Sequence, residues 1–136
     1  MSDAIKGMLA RLGGEEAVAR WMTLFYDRVK TNSVLFPLFQ EDLSVSREKQ
    51  TAYMVEFLGG EAKYTEKYGK PFLRFRHRHV QIGQPERDAW LALFMETLLE
   101  ITEDQEVIST IEAAVTPIAN AMVNHKPGQQ DAYYFN

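Results

Sequence analysis

The stretch Leu73 to Ile82, LRFRHRHVQI, sets two of the chain's three histidines, His77 and His79, two positions apart among arginines. Its conformation decides what they can do. On a strand both imidazoles would share a face, whereas on a helix residues two apart point about 200° from each other. The flanking arginines and the lack of β-branched residues around them argue against a strand. The reading is a short helix over 71–80, with one histidine at most facing inward.

The same helical period extends through the rest of the chain. Val18, Met22, Phe25 and Val29 follow the Gly13-Gly14 break at three- and four-residue intervals, with Trp21 beside them, which predicts an amphipathic helix over 15–30. The run VLFPLF around Pro37 predicts a short turn, and Ser44 is placed as the cap of a helix reaching Leu58, stopped by Gly59-Gly60. The polar segment EAKYTEKYGK, 61–70, reads as a long loop. Gln84-Pro85 opens a helix that aligns Trp90, Phe94, Thr97 and Ile101 on one face. Thr102 to Gln105 has the form of a capping box, starting a last helix whose buried stripe is Ile108, Ile111, Val115, Ile118 and Met122. Pro117 should kink or interrupt that helix, because it removes a backbone donor and crowds the preceding turn. The tail KPGQQDAYYFN, 126–136, has no period and is expected to fray. With no sustained alternation of period two, the fold class is all-α: one domain over 1–136, with five or six helices around one core.

Composition narrows the function. A chain of 136 residues with 46% hydrophobic and 25% charged residues has an ordinary globular make-up. The net charge of −4 gives no pull toward nucleic acid or anionic lipid. The absence of cysteine excludes disulfides, thiolate metal sites and thioether attachment of haem. No run is apolar enough for a signal peptide or a membrane span, so the expected location is cytoplasmic, with no membrane partner.

Several polar residues fall where a core should be. Ser46, Gln50, Tyr53 and Phe57 share one helical face that begins polar and ends aromatic. It is either a helix solvated at its start or a cavity wall on which Ser46 and Gln50 offer hydrogen bonds. Tyr26 needs a partner for its hydroxyl if its ring is buried, and Trp90 owns one indole donor. A lone inward histidine is commonly a hydrogen-bonded core residue. As a metal ligand it would not suit zinc, which takes three or four protein ligands, but it would suit haem iron, where one axial imidazole is enough. Arg76, Arg78 and Lys49 then read either as partners of haem carboxylates or as a solvated basic face. His125, before Lys126-Pro127, reads as a surface or C-terminal-turn residue.

Taken together, FYDRV with Tyr26, FPLFQEDL with Phe39, FLGG, YTEKYG, RFRH ending at His77 and DAW with Trp90 resemble the truncated haemoglobins of the second group in order and spacing. The resemblance spans about residues 3–125. It implies a shortened globin fold, a two-over-two helical sandwich around non-covalent haem b (iron protoporphyrin IX). Carried over by position, His77 matches the proximal iron ligand, and Tyr26, Gln50 and Trp90 the polar distal groups. Phe39 matches the aromatic on the haem face, Ser46 the small residue at the distal opening, and Arg76 a propionate partner, with Lys49 and Tyr64 as further candidates. The chain departs from the family after His77, where His79-Val80 replaces a Pro-Phe pair, and at Phe39, which lacks a hydroxyl found in some relatives. The implied function is binding of oxygen and other diatomic ligands, such as nitric oxide or carbon monoxide, at a pentacoordinate iron. The alternative is nitric oxide dioxygenation or peroxide reduction, fed by a separate reductase because the chain has no Gly-rich nucleotide motif. A haem-free helical interaction module is the third reading, and a homodimer is compatible with all of them.

Overall fold

A computed structural model describes residues 3–39 and 42–125; the tail expected to fray, 126–136, lies outside the described residues. The elements are α1 (Met8–Leu12), α2 (Gly14–Val29), α3 (Leu43–Phe57), α4 (Lys63–Tyr68), α5 (Leu73–Arg76), α6 (Gln84–Ile101) and α7 (Gln105–Met122), with 3-10 turns at Asp3–Gly7 and Phe36–Leu38. No strand occurs among the described residues. No described helix is long and apolar enough to cross a membrane.

The predicted stripe of α2 is the centre of the molecule: Val18, Trp21, Met22, Phe25 and Val29 are fully buried. Helix α2 packs on α3 and α6, and α6 packs on α7. Because a buried indole cannot leave its N–H unpaired without a desolvation cost, Trp21 fixes the α2–α6 register. Its Nε1 donates to Thr97 Oγ1 at 3.1 Å and to the Phe94 carbonyl at 3.2 Å. The fully buried Thr97 hydroxyl in turn donates to the Leu93 carbonyl at 2.9 Å.

Helix ends differ from the sequence reading in instructive ways. The cap of α3 is Asp42, not Ser44: its carboxylate accepts the Ser44 N–H at 2.7 Å and the Ser44 hydroxyl at 2.6 Å. These bonds favour the ionised form and hold the Asp42 carboxyl below its usual range. Likewise α7 is capped by Asp104, which accepts from the Glu106 and Val107 N–H groups at 3.1 and 3.3 Å, while Thr102 accepts from Asp104 itself. A carboxylate at a helix start satisfies open donors and meets the positive end of the macrodipole, so it outcompetes a nearby hydroxyl.

The polar segment expected to be a loop contains α4. Its start is capped from outside, by Glu56 of α3, which accepts the Thr65 N–H at 2.9 Å and the Thr65 hydroxyl at 2.6 Å, and Tyr64 is buried beneath it. The helix expected over 71–80 shrinks to the single turn α5. Beyond it, Arg78 N–H bonds to the Phe75 carbonyl and Val80 N–H to the His77 carbonyl, three-residue turns that take the chain off the helical path. Helix α7 runs through Pro117 without interruption. Pro117 and Ala113, whose carbonyl loses its donor, are both exposed, so water can hydrate that carbonyl. The α7 stripe also divides: Ile108, Ile111 and Val115 enter the core, whereas Ile118 and Met122 are only half-buried.

Gly59 brings the end of α3 against the N-terminal turn. It stands at φ 104°, and a Cβ there would lie 1.8 Å from the Lys6 carbonyl oxygen. That close approach lets Leu9 N–H reach the Leu58 carbonyl at 3.1 Å. Gly59→Ala combines a left-handed backbone with a clash against main chain. It should destabilise the fold by roughly 3 kcal/mol or more; a urea midpoint within error of wild type would refute this account of the α3–α4 corner.

Candidate functional site

Between α2, α3, α6, α7 and the α5 segment lies a cavity of about 870 Å³. The half-buried ends of the α7 stripe, Ile118 and Met122, line it, which explains why they are not packed into the core. Tyr26, Phe39, Ser46 and Gln50 border the same cavity, as do Trp90, Lys49, Tyr64, Arg76 and His77. Of the α3 face that could be either solvated or a cavity wall, Ser46, Gln50 and Tyr53 therefore stand on the wall. His79 is exposed and is not among the lining residues.

His77 closes the single turn of α5 as its C-cap. Its Nδ1 lies 2.7 Å from the Leu73 carbonyl oxygen. A carbonyl can only accept, so Nδ1 carries the proton, and a neutral ring then has its lone pair on Nε2. No group of three or more His, Cys, Asp or Glu capable of holding a metal occurs among the described residues. Among the residues that line the cavity, His77 is the histidine.

The aromatic wall is built as a continuous stack from the core outward. Trp21 packs on Phe94 with centroids 4.5 Å apart, and Trp90 stacks on the same ring at 4.4 Å and 18°. Tyr26, only 6% exposed, is held edge-on between Phe25 at 5.0 Å and Phe39 at 5.7 Å. Such edge-to-face contacts fix ring orientation as well as burying area. Ser46 is buried and Gln50 half-buried on α3.

The cations at the cavity edge are tethered. Arg76 donates through Nε to the Pro71 carbonyl at 2.6 Å and through Nη2 to the Tyr68 and Lys70 carbonyls at 2.6 and 3.0 Å, and its guanidinium lies 5.7 Å from the Tyr64 ring centroid. It thus organises the α4–α5 loop, a task not legible in the sequence. Arg78 lies over the Phe75 ring at 3.8 Å, and Lys49 Nζ is 5.9 Å from the Tyr68 ring. His125 stands just past the end of α7, half-buried, with its N–H on the Ile82 carbonyl at 3.1 Å.

Two features of the site escaped the sequence reading. One is the Leu73 carbonyl, a main-chain group with no residue signature beyond its place four positions before His77. The other is Asn124, whose side chain reaches the loop after His77 and which in sequence looks like any polar residue past a helix end.

The bacterial-like globin family matches residues 8–124 of the chain. The group 2 truncated haemoglobin YjbI of Bacillus subtilis is 32% identical over 111 residues, covering 82% of this chain and 84% of that protein. The crystal structure of the group II truncated haemoglobin of Bacillus anthracis matches with a TM-score of 0.84 at 28% identity, covering 88% of this chain and 97% of that one. The structure of a truncated oxygen-avid haemoglobin from Bacillus subtilis matches with a TM-score of 0.78 at 32% identity, covering 82% and 94% of the two chains.

Tyr53, another cavity-lining residue, stacks on Phe57 at 5.8 Å and meets Tyr64 edge-on at 5.6 Å. Burial, reinforced by the nearby Glu56, pushes its phenol up to about 12 from the ordinary 10.0. The neutral ring therefore contributes stability that is complete below pH 10.0 and is lost as pH rises toward about 12. Urea midpoints measured at pH 8 and pH 11 should fall less for Tyr53→Phe than for wild type, and equal falls would show that the phenol is not buried as described.

Proposed function

Since the chain belongs to the bacterial-like globins as a group II truncated haemoglobin, we propose that its cavity holds haem b through His77 and binds oxygen, nitric oxide or carbon monoxide. The observation that carries this reading is the Nδ1 contact of His77 with the Leu73 carbonyl at 2.7 Å, which keeps the Nε2 lone pair available on a residue bordering the cavity. An imidazole fixed in this tautomer by a main-chain acceptor is the usual arrangement of a metal-ligating histidine. The surroundings fit the group as well. A cavity of about 870 Å³ falls in the range of roughly 300–1,000 Å³ that accommodates sizeable organic ligands. Its walls are mainly apolar and aromatic, with cations at one edge, as a flat hydrophobic macrocycle with two carboxylates requires.

When bound, haem supplies an iron that one protein ligand leaves open to a diatomic molecule. The protein's own contribution is donors and exclusion of water. Tyr26, Gln50 and Trp90 would be the hydrogen-bond donors toward a polar diatomic ligand, an arrangement that would favour oxygen over the less polar carbon monoxide. Ser46 would stand beside the path of the small ligand, and Phe39 would pack against the macrocycle while keeping Tyr26 oriented. Arg76, Lys49 and Tyr64 are the propionate partners, with Arg76 acting through the part of its guanidinium not spent on carbonyls. Each hydrogen bond to a charged ligand contributes roughly 1.5–3 kcal/mol, so two such donors slow oxygen release more than a hundredfold if additive. This favours tight retention over delivery, in keeping with the relative named as oxygen-avid.

Absorption spectra of the purified protein in ferric, ferrous and carbonyl forms test the proposal: a Soret band and a five-coordinate ferrous spectrum are expected. His77→Ala should abolish that spectrum and His79→Ala should leave it intact; the opposite pair of results, or a colourless protein that refuses added hemin, would end this reading. Stopped-flow oxygen release should be roughly 10- to 100-fold faster in Tyr26→Phe, and an unchanged rate would remove Tyr26 from the role given to it.

A further inference from the structure

We propose that Asn124 is a positioning residue for His77, setting the imidazole's orientation by clamping the backbone of the loop that follows it. The inference rests on the reading of His77 as the haem ligand. Helix α5 is one turn long and ends at Arg76, so little helical hydrogen bonding holds His77 in place. The residue that precedes it, Phe72, is a non-glycine residue at φ 40°. From His77 to Ile82 the sequence is HRHVQI, without proline or glycine to restrict or specialise the path. The Pro-Phe pair that the family resemblance leads one to expect is replaced here by His79-Val80.

The stiffness comes from across the molecule. Asn124 stands just past the end of α7, 44 residues from Val80 in sequence, and its Nδ2 donates to the Val80 carbonyl at 2.8 Å. The same amide nitrogen lies 3.4 Å from the carbonyl oxygen of His77 itself. Its Oδ1 accepts the Ile82 N–H at 2.9 Å. The orientation of the amide follows from this network, since the flipped form would set oxygen against two carbonyls and nitrogen against an N–H. Main-chain bonds from Asn124 and His125 N–H to the Ile82 carbonyl, at 2.8 and 3.1 Å, add a second fastening that any side-chain substitution leaves in place.

The His77 carbonyl accepts from Val80 N–H at 3.0 Å as well as facing Asn124. His77 is thus held by its ring at Leu73 and by its own carbonyl at Asn124. A displacement of that carbonyl rotates the peptide that carries the imidazole. Partners one step removed from a metal ligand commonly change metal affinity about 10- to 100-fold.

The test uses the holoprotein. In ferrous wild type, resonance Raman should show a narrow iron–imidazole stretching band; in Asn124→Leu, which keeps bulk but makes no hydrogen bonds, the band should shift or broaden. Transfer of hemin to an excess of apomyoglobin should be about tenfold faster or more, and exchange of the Ile82 amide should accelerate. Thr97→Val, which removes one of the two acceptors of the buried Trp21 N–H, supplies a comparison that destabilises the fold away from the loop and should leave the band unchanged. If Asn124→Leu does not fold, Asn124→Asp takes its place; it keeps the acceptor for Ile82 but turns oxygen against both carbonyls and should alter the band in the same way. An unaltered band with unaltered hemin transfer overturns the inference, as does an equal band change in Thr97→Val. Absence of an iron–imidazole band in wild type would instead count against the His77 reading.

Discussion

A cavity of about 870 Å³ in a chain of 136 residues is the constraint around which everything else is arranged. Apolar side chains around a void forfeit contacts on one side, so the walls must be held apart by a core that lies beside the cavity. That core is the α2 stripe against α6, with Trp21, Phe25 and Phe94 fully buried. Trp21's shared hydrogen bond to Thr97 and Phe94 prevents α2 and α6 from sliding past one another. The ring stack Trp21–Phe94–Trp90 then transmits that rigidity to the cavity wall, and Phe25–Tyr26–Phe39 does the same on the neighbouring side.

Helix ends and surface charges complete the frame. Arg11 of α1 pairs with Asp104 at 2.7 Å and with Glu106, joining the first helix to the start of the last and holding the Asp104 carboxyl below its usual range. Arg28 of α2 bridges Glu96 at 2.9 Å and Glu100 of α6. The short α4 is tied to α2 through Lys63 to Glu15 and to α3 through Lys67 to Glu48, each at 2.7 Å. These pairs lie at exposed positions, where water and salt screen the attraction, so their value is in fixing which helix ends meet more than in stability.

Much of the architecture was legible because helical burial leaves a periodic trace. The all-α class, the long helices and the α2 stripe followed from spacing, and the shortened globin fold implied by the resemblance is the one shared with the group II structures. The helix ends were less legible. Ser44 and Thr102 are good caps in isolation, yet Asp42 and Asp104 do the capping, since a charged acceptor wins when two candidates stand within two residues. Helix α4 was invisible because its cap, Glu56, comes from another helix.

By itself the sequence determined the fold class, the order of the long helices and the small set of polar residues that have no reason to sit on apolar faces. Only the tertiary structure decided that those residues border one cavity, that His77 and not His79 lies on it, and that Asn124 reaches the same loop. The reason is one of range. Periodicity and capping are written in neighbours three or four positions apart, whereas a cavity is the place where side chains from separate elements decline to touch, and no local pattern records that.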